Sequence, residues 1–344
     1  MKKLSKAVFL LLLSLYSVFF AEIIAGSSNY PLFDLWGLFV VIPLYGFHVI
    51  ILLTIIIRFQ KGKVIPFRTM YFAGMLFALY EAYITKVLWI GFSDDPHIFL
   101  GIGLIEYLIL VPFWHPIFSF IIPSALLERT LLKSSYIFDG LPNFMKHILN
   151  RKAGIISLFA IIGVFAAING TFPILLLSMI SMLVPMLLVI YLLKRRHLTN
   201  EYTLKDIMPR KQTFIIMCIL LLGLYVFGTL WIRFDAITLM NQIPIWISYL
   251  IFGPLFILSL SKEYDKVEQT DHPPISYQQL LWYSVLMITS SSLITIVLPN
   301  ERFYSMKILF GAIVWVLLGC LIFIFSLISL CKKANSKYDV TEDW

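Results

Sequence analysis

Stretches of about twenty mostly apolar residues recur along the chain, separated by short segments that hold nearly all of its charge. A helix rises about 1.5 Å per residue, so roughly 20 residues cross a hydrocarbon layer ~30 Å thick. By that measure the pattern predicts ten spans, at 7–26, 33–57, 69–91, 98–127, 154–169, 172–193, 213–232, 243–260, 277–298 and 308–330. A backbone in lipid must satisfy its own hydrogen bonds, and runs of this length do so as helices, not as the short alternating strands of a barrel. The expected fold is therefore an all-α polytopic membrane bundle, one transmembrane domain over 1–344. Its polar-site half is 1–128, and a disordered cytoplasmic tail follows at 332–344. Between the fifth and sixth spans only Asn169, Gly170 and Thr171 intervene, which predicts a tight turn. In the long connection 128–153, residues 141–149 read either as a short interfacial helix, with Phe144 and Ile148 on one face, or as a plain basic loop.

Composition agrees with this pattern: 60% of residues are hydrophobic and 13% charged, with a mean hydropathy of +0.90, which excludes an ordinary soluble domain. The net charge of +8 raises the question of nucleic acid, and the placement of the cations answers it. Of 27 lysines and arginines, 23 fall in one set of alternate connecting segments and termini; Arg233, Arg302 and Lys307 lie on the other side, and Lys86 lies within a span. The positive-inside rule then puts both termini in the cytoplasm of a multi-pass cell-membrane protein. The partner implied is the lipid bilayer, not nucleic acid. The first span resembles a signal peptide, with Lys2, Lys3 and Lys6 before an apolar run, yet Glu22 and the return to Ile23 and Ile24 favour a retained anchor. Cys218, Cys320 and Cys331 have no metal-type spacing, and neither a metal nor a cofactor is expected.

Candidate chemistry is unevenly distributed. The first four spans contain Glu22, His48, Glu81, Lys86, Glu106 and His115, nearly all the ionisable residues that interrupt apolar sequence. A charge in hydrocarbon costs at least ~2.5 kcal/mol, so such residues normally face a partner, a cavity or a substrate path. On straight helices Glu81 lies ~15 Å below the external end of its span, Glu106 ~12 Å, Lys86 ~8 Å, and both histidines ~22–26 Å. Gly74, Ala78 and Ala82 form a small-residue stripe beside Glu81, which points that acid toward a helix interface. Lys86 reads as a lysine reaching the external headgroups or as a partner for Glu106. Pro112, Trp114, His115, Pro116 and Pro123 crowd the fourth span, and each proline frees the carbonyl four residues earlier. Broken helices of this kind commonly line cavities or ion sites. His48 reads first as a helix–helix hydrogen-bonding residue and second as a ligand. Asp34, Asp94, Asp95 and His97, and farther along Arg233, Asp235, Asn241 and Gln242, read as residues of the external edge.

Two resemblances follow from these residues. Ala21-Glu22-Ile23-Ile24-Ala25-Gly26-Ser27-Ser28, Tyr80-Glu81-Ala82-Tyr83 and Phe113-Trp114-His115-Pro116 make residues 20–128 similar to an uncharacterised group of prokaryotic multi-pass membrane proteins, which implies no activity. Glu81-Ala82-Tyr83-Ile84-Thr85-Lys86 more faintly resembles CAAX-type intramembrane proteases, but the second glutamate of their pair is missing, lysine replaces arginine, and His115 has no later histidine within a span. Three functions fit the residues. A permease for a small solute or ion would use the acids and the broken helix for binding and proton coupling. A non-catalytic partner subunit or sensor, assembled with other membrane subunits, would use them as interhelical glue. An intramembrane hydrolase would use Glu81 as base with His48 and His115. Helix number and the broken polar span favour the permease.

Overall fold

The computed structural model describes residues 2–61, 64–91, 98–232, 239–260 and 274–338. Its helices are α1 (Lys2–Val18), α2 (Ile42–Gln60), α3 (Phe67–Ala78), α4 (Tyr80–Tyr83), α5 (Val87–Ile90), α6 (Leu104–Ile109), α7 (Ile122–Leu131), α8 (Tyr136–Asp139), α9 (Asn143–Leu149), α10 (Lys152–Asn169), α11 (Ile174–Arg195), α12 (Leu204–Ile207), α13 (Lys211–Trp231), α14 (Leu239–Ser259), α15 (Tyr277–Val297) and α16 (Asn300–Tyr338). Wider π-helical turns at Phe19–Ile23, Gly37–Val41 and Leu110–Ile121 extend α1, lead into α2 and join α6 to α7. Among the described residues the one sheet is a hairpin of two-residue strands, β1 (Ile98–Phe99) and β2 (Ile102–Gly103). The chain is the all-α polytopic bundle that its hydropathy predicts.

Nine continuous helical runs among the described residues are long and apolar enough to cross a membrane. Each matches an expected span, and the remaining expected span, 69–91, is divided into α3, α4 and α5. Local chemistry accounts for the break between α4 and α5. Thr85 turns its hydroxyl back onto the carbonyl oxygen of Glu81 at 2.9 Å, and Lys86 adopts a left-handed backbone, φ 63°. The fourth span begins at Leu104, not at 98, because the hairpin occupies 98–103. At the other end of the chain α16 continues to Tyr338, so the first half of the expected tail is helical, and 339–344 lie outside the described residues. The short helix expected at 141–149 is present as α9, with Phe144 and Ile148 exposed.

Proline explains the π-helical course of the fourth span. Pro116 and Pro123 cannot supply the N–H groups that an α-helix would offer to the carbonyls of Pro112 and Ser119. Both oxygens find hydroxyl donors on neighbouring helices: Tyr71 on α3 donates to Pro112 at 2.7 Å, and Ser17 on α1 donates to Ser119 at 2.6 Å. These bonds fasten the π-helical segment between α1 and α3. Gly74 permits the close approach, since a Cβ there would overlap the backbone of Pro116.

The two halves of the chain differ in burial. In the apolar windows of α1, α2 and the α6–α7 run, 67% to 72% of residues are buried, against 11% to 39% in the other six spans. The early helices form the centre, and α13, α14 and α16 present broad apolar faces outward. The cation-bearing segments meet at one end of the bundle, in agreement with their alternation along the sequence. Lys6 donates to the Asp206 carbonyl at 2.5 Å, Arg58 to that of Pro209 at 3.2 Å, and Lys194 to that of Ile275 at 2.7 Å. At this end the fully buried Glu128 carboxylate accepts from the backbone N–H groups of Tyr136, Ile137 and Phe138 and from the Ser134 hydroxyl, so that one side chain holds the start of α8. Sequence analysis passed over this residue because it sits beside Arg129 at the margin of a span.

Two measurements check this account. Gly74→Ala is expected to destabilise the protein by about 1–3 kcal/mol through overpacking against Pro116, read from thermal unfolding in detergent. Glu128→Ala leaves buried backbone donors without an acceptor, at about 1–3 kcal/mol for each orphaned group, and should expose residues 132–141 to limited proteolysis well before the remaining loops.

Candidate functional site

Four of the first spans converge on one buried polar cluster. Glu81, on the four-residue α4, faces His115 on the π-helical segment, with Oε1 and Nε2 3.0 Å apart. The Ser119 hydroxyl lies 2.8 Å from Nδ1 of His115, and the Thr85 hydroxyl donates to Oε2 of Glu81. The imidazole therefore has a partner at each nitrogen in both protonation states: as imidazolium it donates twice, and when neutral it accepts from one side. Glu81 and His115 are both buried, as is Ser119, and the rings of Tyr45, Phe77 and Tyr80 pack around the imidazole.

A second carboxyl group joins from the first helix. Glu22 lies in the π-helical turn after α1, and the Tyr45 hydroxyl on α2 donates to its Oε1 at 2.5 Å while Ser27 donates to its Oε2 at 2.6 Å. The Tyr45 and Tyr80 hydroxyl oxygens are 2.5 Å apart, and the Tyr80 hydroxyl adjoins the Glu81 carboxyl group. Ser27, Glu22, Tyr45, Tyr80, Glu81, His115 and Ser119 thus form one connected row. The backbone around the row is held in turn, because the Trp114 indole donates to the carbonyl of Ala21, next to Glu22, at 3.0 Å.

The other candidates sit around this row in distinct ways. His48 has Nδ1 2.8 Å from the Leu44 carbonyl and Nε2 2.9 Å from the Tyr225 hydroxyl. A carbonyl only accepts, so Nδ1 carries the proton; in the neutral ring Nε2 then accepts from Tyr225, which makes His48 an interhelical bridge from α2 to α13. Lys86 takes neither role expected of it. It is 0% exposed, and its ammonium donates to the carbonyls of Tyr83 and Gly228, the latter in the last turn of α13, where a cation suits the negative end of the helix dipole. Glu106 does not join Glu81 and His115: it lies in the first turn of α6, its Oε2 pressed against Gly103. The ~12 Å depth expected for it assumed a helix beginning at 98. Glu22 stands at the outer end of the row, half-buried beside the exposed Ser27. Asp94, Asp95, His97, Arg233 and Asp235 lie outside the described residues, as does the Asn241 side chain. Asp34 accepts from the backbone N–H of Gly37 at 2.5 Å, a local turn contact.

Sequence reasoning missed Ser27, Tyr45, Tyr80, Thr85 and Ser119 as members, and Tyr225 as the partner of His48. Tyr80 adjoins Glu81, and Ser119 and Thr85 stand four residues after His115 and Glu81, a helical spacing that could have singled them out. Tyr225 arrives from a distant helix with no local signal. Among the described residues, no three His, Cys, Asp or Glu side chains come close enough together to hold a metal ion.

Comparison with known proteins matches the sequence to a family. The model of an uncharacterised membrane protein family covers residues 11–333. The chain belongs to that family. An uncharacterised protein of Archaeoglobus fulgidus is 33% identical over 260 residues, 73% of this chain and 78% of the relative. No solved structure matches. The family match extends far beyond the motifs at residues 20–128, and the likeness to CAAX-type proteases finds no support in either match.

Lys86→Met is the test of the latch at Gly228. Removing the ammonium takes the side-chain donor from the Tyr83 carbonyl and leaves the Gly228 carbonyl with the Ile232 N–H alone, which should lower stability by about 1–3 kcal/mol, measured by thermal unfolding in detergent, with no comparable effect from Lys61→Met at the exposed end of α2.

Proposed function

We propose that this protein is a proton-linked permease of the cell membrane, with both termini cytoplasmic and the Glu81–His115 pair as its working centre. The observation that carries the reading is where the pair sits: one member on a four-residue helix inside a divided span, the other on a proline-rich π-helical segment facing it. Buried ionisable groups within membrane spans commonly mark ion or substrate paths, and discontinuous helices commonly carry such sites in transporters. Interrupted backbones beside the pair also give the two helices places to bend without breaking regular hydrogen bonding elsewhere. The solute or ion that accompanies the proton is set by residues of the same cluster, which joins two carboxyl groups, Glu22 and Glu81, to the His115 imidazole.

One further reading has its own support. Each polar atom of Glu81 and His115 already has a partner inside the protein, Tyr80, Thr85 or Ser119, which is what a fixed interhelical clamp in a partner subunit or sensor needs.

Thiol access separates the two. After replacement of Cys218, Cys320 and Cys331, single cysteines are placed at Ala78 and Ser119 and treated with a membrane-impermeant thiol reagent from either side of sealed vesicles. The permease reading expects labelling from both faces, with Glu81→Gln altering the rate from at least one of them. Labelling from one face or from neither overturns it, and the second result is the one expected of a clamp.

A further inference from the structure

The row of side chains leading to the Glu81–His115 pair has a property that a clamp does not require. Its two ends are carboxyl groups, Glu22 and Glu81, and its two inner members, Tyr45 and Tyr80, carry hydroxyls that both donate and accept. Such a row, holding one acidic proton, is fully hydrogen-bonded in two polarities. In the first, Glu81 is the protonated acid: it donates to Tyr80, Tyr80 to Tyr45, and Tyr45 to the Glu22 carboxylate. In the second, Glu22 is protonated and every bond points the other way, toward the Glu81 carboxylate. No donor or acceptor is orphaned in either arrangement, so neither carries the cost of a buried unsatisfied group.

We infer that Glu22, Tyr45 and Tyr80 form a proton path by which the end of the bundle at Ser27 exchanges protons with the Glu81–His115 pair. The mouth of the path is open: Ser27 is exposed and Glu22 is half-buried, whereas Tyr45 and Tyr80 are buried. One passage balances as follows. A hydronium ion gives a proton to the Glu22 carboxylate and leaves water. Glu22 passes its proton to the Tyr45 oxygen as Tyr45 passes its own to Tyr80, and Tyr80 passes its own to the Glu81 carboxylate. Glu22 is again a carboxylate, Glu81 is a carboxylic acid, both tyrosines are neutral, and one proton has moved. The Glu81 acid can then yield that proton to Nε2 of His115 across the 3.0 Å contact. The groups that face Glu81 and set its response are His115 from the π-helical segment, Tyr80 and Thr85 from its own segment, Glu22 from the turn after α1, Tyr45 from α2, and Tyr225 from α13.

The path deepens the permease reading but is tested without any flux. The full chain is reconstituted in nanodiscs, and the carboxylic-acid stretch of Glu81, assigned by its loss in Glu81→Gln, is followed by rapid-scan infrared spectroscopy after a pH jump. Tyr45→Phe keeps the ring that packs on Phe77 and Tyr80 and removes the hydroxyl link. It should slow the appearance of the Glu81 band by about tenfold or more, since each ~1.4 kcal/mol of added barrier is a factor of ten. Tyr107→Phe, which deletes an interhelical hydroxyl bond to Ser248 outside the row, should leave the rate unchanged. Should Tyr45→Phe fail to fold, Tyr80→Phe breaks the next link and is read in the same way. A Glu81 band that follows the jump equally fast in the wild type and in these variants overturns the path, as does a wild-type band that never responds to bulk pH. Failure of thiol access from both faces, with the infrared result intact, would remove the permease and leave the path standing.

Discussion

Hydrocarbon cannot solvate an ion, so an ionisable group placed inside a membrane bundle must be solvated by the protein. The contact between Glu81 and His115 is that constraint in its sharpest form. A carboxylate or an imidazolium alone at this depth would cost several kilocalories per mole, whereas together, with Thr85 and Ser119 closing the remaining positions, they are mutually satisfied. Much of the surrounding architecture serves that contact. Gly74 lets α3 approach the π-helical segment, Tyr71 and Ser17 secure the carbonyls freed by proline, and Trp114 ties the segment to the turn that carries Glu22.

The backbone irregularities belong to the same design. A regular helix in the third span would continue past Thr85, and a regular helix in the fourth cannot form through Pro112, Pro116 and Pro123. Each departure is compensated locally: the Lys86 ammonium meets carbonyls at the break, and neighbouring hydroxyls meet carbonyls along the π-helical run. The interruptions lie on the helices that carry the two titratable partners, where conformational freedom has the most chemical consequence.

Fold class was legible because hydrophobic run length alone separates spanning helices from everything else in so apolar a chain. Glu81 and His115 were legible as individual residues, since charge inside an apolar run stands out. Their pairing was not. Straight-helix arithmetic set His115 several ångströms deeper than Glu81, and a divided third span with wide turns in the fourth cancels that difference. The same arithmetic favoured Glu106, which the hairpin at 98–103 moves to a helix start, and said nothing of Glu22, whose Tyr45 partner comes from another helix. Contacts made through neutral hydroxyls, such as Tyr80 or Tyr225, carry no signature in hydropathy or charge.

The unequal burial of the helices divides the chain by what governs each position. Around α1, α2 and the α6–α7 run, a side chain is fitted to specific neighbours, so a change of one methylene is felt by several residues at once. On the outward faces of α13, α14 and α16 the neighbour is hydrocarbon, which asks only for apolarity over a sufficient length. Leucine, isoleucine, valine and phenylalanine are nearly interchangeable there. Sequence drift within the family should therefore be rapid along those faces and slow at the few inward positions, such as Tyr225 and Gly228, through which α13 touches the centre.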